Sequence, residues 1–173
     1  MNFNQIYGTP RFPEIPIRDL NRLHESAIRS AIQYYTIQGY LSENRVIGYL
    51  TRQRDITDIR RVPDNADGHG GDVSFVYNGV TYTMEIKTLT LRDGKGKLNM
   101  CPTRKSELYK AYRRTDFDLL AANITGRVRN GLLFARTVDL PVHGKDDRFI
   151  RATMMLHEAT RFAPFQPSLA SVL

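Results

Sequence analysis

The sequence predicts an α/β domain: a mixed β-sheet flanked by helices, with a helix first in the chain. Three observations carry this. Leu20, Leu23, Ala27, Ala31 and Tyr34 recur at steps of three and four, a helical period. Farther on, short β-type runs are separated by turn residues, most clearly Val73–Tyr77 and Val80–Lys87 around Asn78-Gly79. Strand and helix patterns alternate, which places helices on the faces of one sheet. A chain of 173 residues, 41% of them hydrophobic, is long enough for one domain with a sizeable core.

The elements follow in order. Residues 1–18, with Pro10, Pro13 and Pro16, read as an extended arm, 19–160 as the domain, and 161–173, with two more prolines, as an extended tail. The first helix is expected from Asp19, an N-cap residue type, to Gln38, with Gly39 as its stop. Strands are expected at Val46–Leu50 and at Asp55–Val62, the latter ended by Pro63 and a polar loop containing His69. LRDGKGKLNMCP reads as a loop and TRKSELYKAYRRT as a basic helix. DFDLLAANI and GLLFARTVDL read as strands, and ATMMLHEATRF as a short final helix.

Asn-Gly is the strongest short hairpin signal, because a type I′ turn needs positive φ at both central residues. With that turn fixed, facing residues sum to 157, and Asp72 faces Glu85. Carbon atoms Cβ of such a pair lie about 5 Å apart. Side chains alternate between faces. Val73, Phe75, Tyr77, Val80, Tyr82, Met84 and Ile86 form a core face; Asp72, Ser74, Val76, Thr81, Thr83, Glu85 and Lys87 form the other. Facing carboxylates repel, and a cation must offset them. Lys87 is one candidate. A metal is another, and oxygen donors without nearby His or Cys favour Mg²⁺, Mn²⁺ or Ca²⁺ over zinc.

Asp72, then a hairpin, then Glu85-Ile86-Lys87 resembles the signature of the PD-(D/E)xK nucleases, the restriction-endonuclease-like fold. The resemblance covers roughly residues 19–140. Gly71 stands where the family name has proline. Pro63-Asp64 is a literal Pro-Asp, but it opens a polar loop, as Asp67 continues it, whereas Asp72 opens the strand whose partner carries Glu85. The resemblance implies a Mg²⁺-dependent DNA endonuclease, with Mn²⁺ as an alternative ion. Asp72, Glu85 and the Ile86 carbonyl would hold the metal, and Lys87 would position or activate water. Glu25 resembles the first-helix glutamate of some members. His69 lies in the loop before Asp72.

The charge agrees with such a partner. The formal net charge is +7, and residues 92–114 alone carry eight basic against two acidic residues. Lys95, Lys97, Arg104, Lys105, Lys110, Arg113 and Arg114 are therefore expected to face DNA. Tyr109 and Tyr112 could stack on bases or pack their helix down. A homodimer would suit cleavage of both strands. A single cysteine, Cys101, excludes an internal disulfide and fits the reducing cytoplasm. No apolar run is long enough for a membrane span. The alternative is a non-catalytic nucleic-acid-binding module of the same fold; a third reading is an interaction protein with a charged hairpin end.

Overall fold

The computed structural model describes residues 31–62, 71–92, 95–100, 112–124, 131–151, 153–156 and 164–173. The N-terminal arm, Glu25 and His69 lie outside them. Helix α1 (Ala31–Leu50) is followed by β1 (Ile56–Arg61), β2 (Val73–Tyr77), β3 (Val80–Thr88), β4 (Thr90–Arg92) and β5 (Lys95–Asn99). The remaining strands are β6 (Leu119–Asn123), β7 (Leu132–Arg136), β8 (Val142–His143), β9 (Asp146–Ile150) and β10 (Thr153–Leu156). The main sheet has the order β1-β2-β3-β6-β7. Its β3–β6 pair is parallel; the other three pairs are antiparallel. The mixed sheet and its helix are thus as expected.

Helix α1 corrects the sequence reading twice. It passes through Gly39 and takes in Val46–Leu50, expected to be a strand. Its two glycines, Gly39 and Gly48, each cost about 1 kcal/mol relative to alanine. Burial of one large apolar side chain returns about 1.5–3 kcal/mol, and Tyr40, Val46, Ile47 and Leu50 are all buried. The helix ends where side chains take its last carbonyls: Thr51 Oγ1 donates to Ile47 O at 2.8 Å, and Gln53 Nε2 to Tyr49 O at 3.3 Å.

The hairpin is as expected. Asn78 has φ 49° and Gly79 φ 77°, and the pairs run from Tyr77↔Val80 to Val73↔Met84. Strand β6 is buried at all five positions, as suits a strand covered on both faces. On one face Val46, Ile47 and Leu50 of α1 pack with Val73, Phe75, Met84, Ile86 and Phe134. On the other, Leu120, Ala122, Leu133 and Ala135 pack with Leu98, Met100, Tyr112, Ile150 and Met154. The sheet is therefore not flanked by described helices on both sides: a small sheet, β10-β5-β4, covers the second face.

That small sheet overturns two further expectations. Part of LRDGKGKLNMCP is the antiparallel pair β4–β5, with Arg92 paired to Lys95. ATMMLHEATRF begins as strand β10, paired antiparallel with β5. Of the basic helix, residues 103–111 lie outside the described residues, while Tyr112–Thr115 are not helical. The C-terminal segment packs onto the domain rather than extending from it. Phe134 and Gln166 exchange backbone hydrogen bonds at 2.8 and 2.7 Å, and Phe165 and Leu169 are buried.

Helix α1 is pinned to the sheet by polar groups. Asn123 Nδ2 donates to Ser42 Oγ at 2.7 Å, and Ser42 shares a hydrogen with Thr88 Oγ1 at 2.6 Å. The next residue, Glu43, pairs with Arg61 of β1, and Arg61 Nη2 donates to Asn44 Oδ1 at 3.0 Å. The Arg61 guanidinium also lies 5.0 Å from the Tyr40 ring centroid. Asp118 joins β6 to β3: its Oδ2 accepts from Thr83 N at 2.7 Å and Thr83 Oγ1 at 2.9 Å.

Candidate functional site

Strand β2 is led in by Gly71, whose φ is +71°. A Cβ there would sit 2.7 Å from both C and O of Met84. Only glycine suits both constraints, and proline, held near φ −65°, cannot adopt this conformation. This explains why Gly71 occupies the position before the aspartate. Gly71→Ala should lower the unfolding free energy by at least about 2 kcal/mol, combining left-handed strain and overlap. A denaturant titration checks it.

The close approach shifts Asp72. Its N–H donates to Met84 O at 2.8 Å, although Met84 is already the partner of Val73. Two successive residues thus address one, as in a β-bulge. The regular ladder stops one pair short of Asp72 and Glu85. Asp72 Oδ2 instead accepts the Ile86 N–H at 2.8 Å and closes the edge of β3 where β2 has ended. A strand residue directs its N–H and C=O to the same neighbour. The Ile86 carbonyl therefore points to the edge that Asp72 occupies.

Glu85 and Lys87 share the opposite face from Ile86, as alternation requires. Lys87 Nζ lies 2.5 Å from Glu85 Oε1. Tyr112, from the strand-like segment before β6, completes the group: its hydroxyl donates to Glu85 Oε1 at 2.6 Å and accepts from Lys87 Nζ at 2.9 Å. Asp72 is 7% exposed and Glu85 5%. Burial alone would push the Lys87 ammonium down, but the charges of Glu85, Tyr112 and Asp72 outweigh it and hold its pKa well above the ordinary lysine value. Burial, then the Glu85 charge, pushes the Tyr112 hydroxyl well up, so it stays a neutral donor. The influence of Asp72 on Lys87 places all three sequence-predicted charges in one electrostatic neighbourhood.

Two buried carboxylates, Asp72 and Glu85, stand here beside the Lys87 ammonium. The hard oxygen donors suit Mg²⁺ or Mn²⁺. Among the described residues Glu85 Oε2 accepts no hydrogen bond. Among them, too, no three His, Cys, Asp or Glu side chains converge on one point, so a cation here would rest on Asp72, Glu85 and the Ile86 carbonyl. The glutamate that α1 brings to the sheet is Glu43, held by Arg61 on the face opposite Glu85.

Of the expected DNA-facing residues, Arg104, Lys105 and Lys110 lie outside the described residues. Lys95 and Lys97 stand in β5. Arg113 and Arg114 follow Tyr112 directly and, with Thr115, Arg148 and Phe149, line a cleft of about 410 Å³. Arg148 is held by Asp146 through Nε–Oδ1 (2.9 Å) and Nη2–Oδ2 (2.7 Å), which lowers the Asp146 pKa to about 2. Sequence reasoning missed Arg148, which is remote in the chain, and missed the role of Tyr112.

Fold and site together define an α/β protein whose mixed five-stranded sheet carries an Asp–Glu–Lys corner at the end of its central hairpin. No protein-family model matches the chain, and neither a curated protein nor a solved structure matches it. Among the described residues no helix is long and apolar enough to cross a membrane.

Proposed function

We propose that this corner is the active site of a Mg²⁺-dependent DNA endonuclease of the PD-(D/E)xK kind. The observation that carries the reading is convergence. Asp72 reaches the Ile86 N–H from one strand while Glu85 and Lys87 meet at the end of the next. A helix before the hairpin and a parallel strand after it support the same reading. Asp72, Glu85 and the Ile86 carbonyl would hold the ion. When bound, it would polarise the scissile phosphate and lower the pKa of a bound water. Lys87, kept cationic, would offset charge that builds on the phosphate. Arg113, Arg114 and Arg148 would contact the DNA backbone beside it. Two copies would be needed to cut both strands together.

The test is incubation of the chain with supercoiled plasmid, single-stranded and branched DNA, in Mg²⁺, in Mn²⁺ and in EDTA. Cleavage that requires the ion and disappears in EDTA is expected. Salt-sensitive binding without cleavage on any substrate would favour the second reading, a binding module built on the arginine cleft. Neither binding nor cleavage would remove both.

A further inference from the structure

We propose that Tyr112 is a positioning residue of this site: its hydroxyl fixes Glu85 and Lys87 so that Glu85 Oε2 remains available to a cation. The inference rests on the nuclease reading above. Glu85 Oε1 takes two donors, Tyr112 Oη at 2.6 Å and Lys87 Nζ at 2.5 Å, and Lys87 donates in turn to Tyr112 at 2.9 Å. The three groups close a triangle, so among the described residues the Glu85 carboxylate is held through Oε1 alone. The tyrosine is itself held. The residue is 8% exposed, and its ring stands edge-on to Phe117, with centroids 5.3 Å apart and planes at 79°. Its carbonyl accepts the Ile150 N–H at 2.8 Å. The Lys87 ammonium lies 4.9 Å from the ring centroid.

A phenylalanine would serve the ring packing equally well. The hydroxyl adds a buried polar group that costs free energy unless it is bonded, and both of its bonds go to the two residues of the Glu-x-Lys motif. Groups that orient a metal-binding carboxylate change metal affinity by about 10–100-fold when lost.

The test compares the full chain with Tyr112→Phe and Phe117→Leu. The second variant disturbs the ring packing but keeps the hydroxyl. Free Mn²⁺ is counted by electron paramagnetic resonance, DNA binding in EDTA is followed by fluorescence anisotropy, and folding by thermal melts. Tyr112→Phe should weaken Mn²⁺ binding by about 10-fold or more. The Mg²⁺ requirement for cleavage should rise in parallel, with DNA affinity in EDTA unchanged, while Phe117→Leu binds Mn²⁺ like the wild type. Wild-type Mn²⁺ affinity in Tyr112→Phe, or an equal loss in Phe117→Leu, overturns the inference and leaves the nuclease reading standing if the wild type still cuts. A wild-type chain that neither binds Mn²⁺ nor cuts DNA overturns both.

Discussion

Asp72→Asn is expected to abolish cleavage while leaving the fold at least as stable as the wild type. The asparagine carbonyl can still accept the Ile86 N–H that Asp72 Oδ2 now takes, so the edge of β3 stays closed. What changes is charge. The substitution removes one of two buried negative charges, and with it their like-charge repulsion. A cation loses one of its two charged ligands. Loss of metal assistance is worth several kcal/mol at the transition state, and each 1.4 kcal/mol is tenfold, so the rate should fall by about 10³-fold. Plasmid cleavage beside a thermal melt reads both halves. A folded variant that still cuts removes Asp72 from the site, and a large drop in melting temperature makes it a structural residue instead.

Arg61→Ala is expected to be among the most destabilising single changes, by about 3–5 kcal/mol, because it removes the buried cation paired with the Glu43 carboxylate. The Arg61 and Glu43 side chains are only 6% and 8% exposed, so water does not replace the lost partner. Domains of this kind are stable by about 5–15 kcal/mol, so the loss is about a fifth of the total or more. The double variant Arg61→Met with Glu43→Leu should recover most of it, since an apolar pair of similar volume is often neutral. Urea titrations of the three chains decide the point. A double variant no better than Arg61→Ala would mean that the pair is required for more than its charge balance.

These two expectations differ in how far the sequence foretells them. The hairpin was legible because Asn78-Gly79 dictates its turn and the turn dictates the register, which led to Asp72, Glu85 and Lys87. The register did not reveal that Gly71 lets the chain come against Met84 and slips Asp72 toward Ile86. That depends on a positive φ and on backbone contact across two strands. Tyr112 could be found only through the fold, because 25 residues separate it from Lys87. The same holds for Glu43 and Arg61, which look like ordinary surface residues until α1 crosses β1. Helix α1 is longer than its sequence suggests because VIGYL, a five-residue apolar run, fits a strand as well as a buried helix, and tertiary burial outweighs Gly39. Strand β10 reads as a helix from sequence because its partner, β5, lies in a stretch rich in Gly and Lys that reads as a loop.

The most direct measurement is the anomalous scattering of Mn²⁺ in crystals of the full chain. A single strong peak is expected beside β3, within bonding distance of the Asp72 and Glu85 carboxylates and next to the Ile86 carbonyl. Mn²⁺ bound only elsewhere, or none bound at this corner at millimolar concentration, would contradict it.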